Sequence, residues 1–244
     1  MSENRYARHL ALAGFGAAEQ ARLRAAQALV IGAGGLGSPA LLYLAAAGVG
    51  RLAVSDFDSV DETNLQRQVL FTSADIGHPK AAAAARRLVA LNPETEVLPL
   101  PARLAGEDLA AAVAHADVVL DCCDNFATRF AVNAACVGAR TPLVSGAAIR
   151  YEGQLAVFRA DRDGAPCYRC LWEEDAEGLE NCRGNGILGP VTGVIGSMMA
   201  VEALKILSGC APSADGRLML YDAREGTWRS LSIERDPACP VCSA

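Results

Sequence analysis

The sequence predicts an α/β protein in which helices flank a largely parallel, Rossmann-like sheet. Three observations carry this prediction. Short apolar segments alternate with helix-forming segments through residues 1–160, a glycine-rich turn separates the first strand from its helix, and no internal repeat or low-complexity linker interrupts the chain. We therefore expect one integrated domain over the 244 residues.

The first predicted unit is strand, turn, helix and strand. An apolar run at 28–31 ends at the glycines, helix-forming residues follow at 38–47, and a second apolar run at 51–56 ends in an acidic residue. Strands joined by a crossover helix run parallel. This unit therefore sets the direction of the sheet.

Later segments continue the alternation. The predicted helices cover 79–91, 106–115 and 125–138, and the predicted strands cover 96–100, 117–121, 142–147 and 154–158. Pro79 is suited to the start of a helix, and Pro93 follows the end of the same helix. Residues 161–190 are predicted to be irregular, followed by a helix to residue 207 and a hairpin of 217–221 with 228–234.

Composition and charge exclude several classes of protein. Hydrophobic residues make up 52% of the chain and charged residues 20%, which is typical of a folded enzyme rather than a disordered chain. The net charge of −6 argues against a nucleic-acid partner. The first residues lack the pattern of a signal peptide, and the apolar stretch at 191–207 contains Glu202 and Lys205 and is shorter than a membrane span. We expect a cytoplasmic protein with no membrane partner.

Two Cys-x-x-Cys pairs lie in the last third of the chain. In a reducing compartment such pairs are better explained as metal ligands than as disulfides, and two of them supply the four thiolates of a closed tetrahedral zinc site. A closed site has no position for water, so we predict a structural zinc that holds the C-terminal segment against the body. Its expected ligands are Cys167, Cys170, Cys239 and Cys242.

The turn after the first strand carries glycines at Gly32, Gly34, Gly35 and Gly37. Glycines permit a tight turn and close approach of phosphate, and the N-terminus of the following helix attracts anions. Asp56, about 20 residues after the last glycine, is placed to bind a ribose hydroxyl. These residues predict nucleotide binding, with a structural turn as the alternative, and they do not distinguish an adenine dinucleotide from ATP.

Arg67 and Lys80, downstream of the aspartate, favour ATP. A triphosphate needs cations that neutralise its charge and stabilise charge that develops at the attacked phosphorus, whereas a dehydrogenase needs no such pair here. Either cation alone would more often be an ordinary solvated charge. Their combination with the glycines favours a phosphate-binding role.

Asp124 and Asn125 follow the strand predicted at 117–121. Ligands bind at the carboxyl ends of parallel strands, which brings this segment to the same edge as the glycines. Asp124 is a candidate ligand of Mg²⁺, which prefers carboxylate and phosphate oxygens. The alternative is that Asp124 or Asn125 caps the next helix, and both roles are compatible.

The motifs occur together and in the same order in one known family. They are Arg5-Tyr6-x-Arg8, the turn from Gly32 to Gly37, Asp56-Phe57-Asp58, the segment from Asn64 to Gln68, Lys80, Asp124-Asn125 and the two cysteine pairs. On these residues the chain resembles the ThiF/MoeB/HesA family, the bacterial relatives of ubiquitin-activating enzymes, over nearly its whole length. The resemblance implies a homodimeric adenylyltransferase that uses ATP and Mg²⁺ to activate the C-terminal glycine of a ubiquitin-like sulfur-carrier protein and releases pyrophosphate. It also implies a nucleotide-binding part at 1–160 and a zinc- and carrier-binding part at 161–244.

The resemblance assigns roles to individual residues. Arg8 reaches the ATP of the other subunit, Asn64, Arg67 and Lys80 bind the phosphates, and Asp124 binds magnesium. The expected catalytic residues are Arg8, Arg67, Lys80, Asp124 and Cys182. The expected nucleotide-binding residues are Gly32, Gly34, Gly35, Gly37, Asp56, Asn64, Arg67, Lys80, Asp124 and Asn125.

Cys182 stands next to Arg183 in a glycine-containing loop, a setting that lowers a thiol pKa. In thiamine-type members of the family the corresponding cysteine links covalently to the carrier, and in molybdopterin-type members it is dispensable. Residues 167–172 resemble the first type and residues 145–154 the second, so a ThiS-like and a MoaD-like carrier are both candidates. No rhodanese domain follows, so we expect a separate sulfurtransferase to supply the sulfur.

Three alternatives stay open. An NAD-dependent oxidoreductase would use the same glycines and Asp56 but leaves Arg67, Lys80 and the cysteine pairs without a role. A zinc scaffold that only docks a carrier needs no catalytic cation. A family relative could adenylate a tRNA or peptide carboxylate, although the acidic composition speaks against tRNA.

Cys123, where the family commonly has threonine, adds a candidate for oxidation beside the nucleotide.

Overall fold

Eight strands form one sheet in the computed structural model, which describes residues 5–173 and 186–243. The strands are β1 (Gln27–Ile31), β2 (Arg51–Ser55), β3 (Glu96–Leu100), β4 (Val118–Asp121), β5 (Leu143–Ile149), β6 (Glu152–Phe158), β7 (Arg217–Asp222) and β8 (Thr227–Ser232). The helices are α1 (Ala7–Leu10), α2 (Ala17–Ala25), α3 (Gly37–Ala47), α4 (Lys80–Leu91), α5 (Gly106–Ala114), α6 (Phe126–Ala139), α7 (Tyr168–Leu171) and α8 (Gly189–Ser208). The predicted elements are present with ends shifted by at most two residues, and α1, α2 and α7 were not predicted.

The sheet has the order β3-β2-β1-β4-β5-β6-β7-β8. Strands β1 to β5 are parallel, as the alternation with helices predicted, whereas β5 to β8 pair antiparallel. The direction changes because β5 and β6 are joined by a two-residue turn, in which Arg150 has a left-handed φ of 54°. The antiparallel half therefore extends the parallel sheet without a crossover helix.

Two apolar layers cover the sheet, one on each face. Along β1, Ala28 and Val30 belong to the core shared with α3, α4 and α8, while Leu29 and Ile31 belong to the core shared with α5 and α6. This alternation follows from the period of two of a strand. A strand buried on both faces needs no polar side, which is why the sequence shows continuous apolar runs.

Helix α8 is the long apolar helix of the first of these cores. By length and composition alone it is long enough to cross a membrane, with a mean hydropathy of 1.5, yet 56% of its most apolar window is buried inside the protein. A side-chain carbon at Gly196 would lie 2.2 Å from the carbonyl oxygen of Leu36, so only glycine lets α8 approach the start of α3 this closely. The helix thereby forms one wall beside the glycine turn.

Candidate active site

The strand order creates a crevice between β1 and β4. Strands β2 and β3 lie on one side of β1, and strands β5 to β8 lie on the other side of β4. The connections that leave the carboxyl ends of β1 and β4 therefore run to opposite sides, which leaves a gap between them. A cleft of about 1190 Å³ opens at their carboxyl ends. It is lined by nine of the residues that the sequence assigns to nucleotide binding: Gly32, Gly34, Gly35, Asp56, Asn64, Arg67, Lys80, Asp124 and Asn125.

Gly37 lies behind the cleft rather than in its wall. A side-chain carbon there would lie 1.9 Å from the carbonyl oxygen of Gly32, and Gly32 itself has a left-handed φ of 96°. These two glycines let the turn close on itself, so that α3 begins directly under the loop. The role of Gly37 is therefore to shape the loop.

Asp56 holds the glycine turn in place. Its Oδ2 accepts a hydrogen bond from the backbone N–H of Ala33 at 2.8 Å, and its Oδ1 accepts one from the N–H of Asp58 at 2.9 Å. Burial raises the pKa of the Asp56 carboxyl, although Lys80 and the two N–H donors act in the opposite direction. The carboxylate that the sequence assigned to a ribose hydroxyl is thus already fixed by backbone groups.

Lys80 and Arg67 differ in how far they are exposed to solvent. Lys80 is only 5% exposed, and its Nζ lies 3.2 Å from Oδ2 of Asp58. Arg67 is half-buried, and its Nη1 donates to the carbonyl oxygen of Thr63 at 3.1 Å, in the 3₁₀ turn Glu62–Asn64. Both cations line the same cleft as the glycine turn, which suits an anionic ligand with several charges.

Of Asp124 and Asn125, the structure gives the helix-capping role to Asn125. Asn125 caps α6, because its Oδ1 accepts from the N–H of Thr128 at 2.9 Å. Asp124 is exposed in the cleft and touches Asn125 through a 3.4 Å hydrogen bond to Oδ1. Its carboxylate is a hard oxygen donor in the wall of the cleft, and this donor chemistry fits Mg²⁺.

One group of residues near Asp124 was missed at the level of sequence. Arg129, on the inner side of α6, pairs with Asp121 at the end of β4 and with Ser145 of β5. Its signal in the sequence is a charged residue on the buried face of a predicted helix. The partners could not be identified, because they lie on two other strands.

Cys123 lines the cleft but does not have the properties of a reactive thiol. Its Sγ lies 3.7 Å from the carbonyl oxygen of Ile31, and burial, with the neighbouring Asp121 charge, raises its pKa well above the ordinary value. The neutral thiol is therefore the stable form. The expectation that this cysteine is a candidate for oxidation is not supported by its surroundings.

The two cysteine pairs come together at one point, beside α7. Sγ–Sγ distances are 3.7 Å for Cys167–Cys239, 3.5 Å for Cys170–Cys242 and 4.0 Å for Cys167–Cys170. All four sulfurs lie within 4.8 Å of one another. Zinc–sulfur bonds of about 2.3 Å in a tetrahedron place the sulfurs about 3.8 Å apart, so the four ligands fit zinc.

The zinc site is joined to the cleft through α7 and α6. Asn133 of α6 donates from Nδ2 to the sulfur of Cys167 at 3.6 Å and accepts at Oδ1 from the N–H of Tyr168 at 2.8 Å. Tyr168 and Trp172 in turn line the cleft. The cysteine cluster thus supports one wall of the site without contributing a ligand position to the cleft.

Arg8 does not line the cleft. Arg8 is exposed on α1, whose start is fixed by Tyr6: the Tyr6 hydroxyl accepts from Nδ2 of Asn92 at 2.9 Å and donates to Oε2 of Glu94 at 3.1 Å. Cys182 falls outside the residues that the structure describes. Neither predicted role is tested by a single chain.

Comparison with known proteins gives one consistent result. The sequence model of the ThiF family matches residues 6–241. The sulfur carrier protein ThiS adenylyltransferase of Escherichia coli is 49% identical over 238 residues, which are 98% of this chain and 94% of that protein. The molybdopterin-synthase adenylyltransferase of E. coli is 46% identical over 238 residues, covering 98% and 95% of the two chains.

Among solved structures, E. coli MccB with ATP superposes with a TM-score of 0.88 at 24% identity, over 99% of this chain and 74% of that one. At this identity the likeness supports the fold alone. The mixed α/β sheet with flanking helices that the sequence predicted is confirmed by this match and by the strand order.

Proposed function

Since this chain belongs to the ThiF family, we propose that it adenylylates the C-terminal glycine of a ubiquitin-like sulfur-carrier protein, consuming ATP and releasing pyrophosphate. The observation that carries the proposal is the buried Lys80 ammonium together with Arg67 at the glycine turn. Two cations at this place suit a triphosphate and have no function for a nicotinamide. The oxidoreductase alternative is not favoured, because the similar proteins are adenylyltransferases.

The reaction needs positioning and charge neutralisation more than proton transfer. An oxygen of the carrier's C-terminal carboxylate attacks the α-phosphorus, the new acyl–O–P bond forms, the bond between the α-phosphorus and the bridging oxygen breaks, and pyrophosphate leaves with that electron pair. The nucleophile is already ionised, so no general base is required. No histidine lines the cleft within the described ranges, which agrees with this chemistry.

Each part of the cleft has a task in this scheme. The backbone N–H groups of the turn containing Gly34 and Gly35 face the phosphates, and Asp56 fixes that turn while remaining available to a ribose hydroxyl. Arg67 and Lys80 neutralise the charge that shifts to the leaving pyrophosphate. Mg²⁺, with Asp124 as its protein ligand, would supply additional neutralisation when bound.

The carrier would enter from the antiparallel half of the sheet. The cleft continues past Gly153 and Gln154 of β6 to Tyr221 of β7 and Arg229 of β8. An extended C-terminal tail fits such a groove, because its carboxylate must reach the glycine turn at the other end. The zinc cluster supports the wall formed by Tyr168 and Trp172 along this path.

We further propose a homodimer in which Arg8 of one protomer completes the cleft of the other. A test is to mix Arg8→Ala and Lys80→Ala variants, each inactive alone. Random exchange of subunits gives heterodimers in which one of the two sites is intact, so activity should return to about a quarter of the wild-type value. No recovery under conditions that demonstrably exchange subunits would contradict a site shared between protomers.

The function itself is tested by ATP–pyrophosphate exchange with purified ThiS-like and MoaD-like carriers, each with an intact C-terminal glycine pair. Exchange that depends on one carrier identifies the pathway, and exchange with both indicates a shared enzyme. A carrier that lacks its last glycine is the control. No exchange with either intact carrier would contradict the proposal and favour a peptide or tRNA carboxylate.

On this proposal the protein acts in the cytoplasm, and a separate sulfurtransferase delivers the sulfur.

A further inference from the structure

A buried arginine lies directly beneath the carboxyl ends of β4 and β5. The side chain of Arg129 is 7% exposed and that of its partner Asp121 is 1% exposed. Nη1 of Arg129 donates to Oδ2 of Asp121 at 3.0 Å and to the hydroxyl oxygen of Ser145 at 3.1 Å. Ser145 also donates to the same Oδ2 at 2.9 Å, while Oδ1 of Asp121 accepts from the N–H of Cys123. Every part of the Asp121 carboxylate is thereby engaged.

The second nitrogen of the guanidinium binds backbone rather than side chains. Nη2 of Arg129 donates to the carbonyl oxygen of Gly146 at 2.8 Å and to that of Cys123. The guanidinium therefore joins the last residues of β4 to β5, at the point where Asp121 and Ser145 form the final register pair. Beyond this pair β4 turns toward α6, whereas β5 continues into its antiparallel partner.

The bond to the Cys123 carbonyl fixes the orientation of the peptide that leads into Asp124. This peptide is trans. A trans peptide sets its N–H opposite its C=O, so the N–H of Asp124 is directed away from the Arg129 guanidinium. Asp124 itself is exposed in the cleft. The arginine thus lies at the carbonyl edge of this peptide, and Asp124, whose carboxylate lines the cleft, follows at the opposite N–H edge.

We propose that Arg129 is a positioning residue of the adenylylation site: by binding the Cys123 and Gly146 carbonyls it sets the orientation of the Cys123–Asp124 peptide and so directs the Asp124 carboxylate toward magnesium and phosphate. This inference rests on the proposed function, since it assigns Asp124 its role there. Arg129 does not touch the reacting atoms in this scheme.

Stability alone does not explain the arrangement. Buried ion pairs are frequently no more stabilising than apolar residues of similar volume. Helix α6 already has its Asn125 cap and its apolar contacts with α5 and β4. An apolar side chain cannot donate to two carbonyl oxygens, one in the segment after β4 and one in β5, whereas the planar, five-donor guanidinium does so.

The test compares Arg129→Lys with the wild type. Lysine keeps the charge opposite Asp121 but cannot reach four acceptors with fixed geometry. We expect kcat of ATP–pyrophosphate exchange to fall 10- to 100-fold and the Mg²⁺ concentration at half-maximal rate to rise at least 3-fold. In calorimetry with a non-hydrolysable ATP analogue, Arg129→Lys should bind more weakly than the wild type when Mg²⁺ is present. In EDTA the Kd values of the two proteins should agree within 2-fold. The matched control is Arg159→Lys, which alters a partly buried arginine paired with Asp161 outside the cleft and should leave all four values unchanged.

A double-mutant cycle decides whether Arg129 acts through Asp124. On an Asp124→Asn background, Arg129→Lys should cost less than 2-fold in kcat, because the group that it positions is already lost. Independent, multiplicative losses would overturn the proposal, as would an unchanged Mg²⁺ requirement in folded Arg129→Lys. If Arg129→Lys folds poorly, Asp121→Asn gives a second measurement, because it keeps the side-chain volume and weakens the hold on Arg129. A wild-type Mg²⁺ requirement in folded Asp121→Asn would also overturn the proposal. Failure of the adenylylation proposal itself is distinguishable, because the wild type would then show no exchange while analogue binding still reports on Arg129.

Discussion

Lys80 and Asp58 form an asymmetric ion pair at the floor of the cleft. The Nζ–Oδ2 distance is 3.2 Å, and the lysine side chain is 7% exposed whereas the aspartate side chain is 49% exposed. Within the described residues the carboxylate that accepts from Lys80 is half in solvent, and the charge of Asp56 also acts on the ammonium, so a buried cation in this setting still favours a further anion in place of the lost water. In an enzyme that binds a triphosphate, this residual attraction is available to the nucleotide.

Substitution of Lys80 by methionine tests this relationship. We expect the exchange rate to fall by about 100- to 1000-fold, the loss typical when one charge-stabilising donor is removed. Stability should change little, because the methionine keeps the buried volume, the Asp58 carboxylate is partly solvated, and Asp56 keeps its two backbone N–H donors. Arg86→Met is the control, since Arg86 pairs with Asp75 at the surface and does not line the cleft. A large loss of melting temperature in Lys80→Met would show that the pair is structural instead.

The parallel half of the fold was predictable because its signals are local. Each of the strands β1 to β4 is a short apolar run bounded by glycine, proline or acidic residues, and the crossover helices fix their direction. The antiparallel half is less uniform, since β6 is mostly buried whereas β8 is exposed along its whole length. Its direction depends on the two-residue turn at Arg150, which the hydrophobic pattern does not reveal.

The residues of the candidate site also fall into those that local motifs predict and those that depend on the tertiary or quaternary structure. The glycine turn, Asp56 and Lys80 belong to motifs with a local physical purpose, so their types and spacing predicted the anion-binding edge of the sheet. Arg129 could only be placed once β4 and β5 were paired, because its acceptors come from both strands. Arg8 raises a different difficulty, since the role that the sequence resemblance implies for it lies in a second copy of the chain.

Gly37→Ala should disrupt the loop, whereas Gly138→Ala should not. The new carbon would lie 1.9 Å from the Gly32 carbonyl oxygen, a backbone atom that cannot move without opening the turn. We expect the free energy of unfolding to fall by about 2–4 kcal/mol and nucleotide binding to be lost. The control is Gly138→Ala in α6, where nothing lies within 4 Å and a gain of about 0.5–1 kcal/mol is expected from helix propensity. Urea unfolding and analogue calorimetry measure both, and a Gly37→Ala protein with wild-type stability would contradict the turn geometry.

Removal of zinc should lower the melting temperature of the protein and, through Tyr168 and Trp172, its carrier-dependent activity. We expect elemental analysis to find about one zinc per chain, and Cys239→Ser to reduce it to a small fraction. Loss of a structural metal costs several kcal/mol, and about 2–4 °C per kcal/mol for a chain of this size gives a fall of roughly 10 °C in melting temperature. Carrier-dependent exchange should fall with it, because Tyr168 and Trp172 lose their support. Cys210→Ser, which lies outside the cluster, is the control, and an unchanged melting temperature after chelation would exclude a structural role.

Cys123 should resist alkylation at neutral pH despite lining the cleft. Burial raises the pKa of the Cys123 thiol well above its ordinary value, so the folded state holds the proton and the reactive thiolate is scarce. Because the folded pKa is raised, the stability linked to this proton is fully present below the unfolded pKa of about 8.5 and is lost as the pH rises from there through the folded pKa. The rate of reaction with iodoacetamide should therefore keep rising with pH beyond the point near pH 8.5 at which a free cysteine derivative levels off. Mass spectrometry of the peptide containing Cys123 follows the reaction, with Cys123→Ser to identify the peptide. A rate that levels off near pH 8 would show that the thiol is exposed and activated, and would restore Cys123 as a site of oxidation beside the nucleotide.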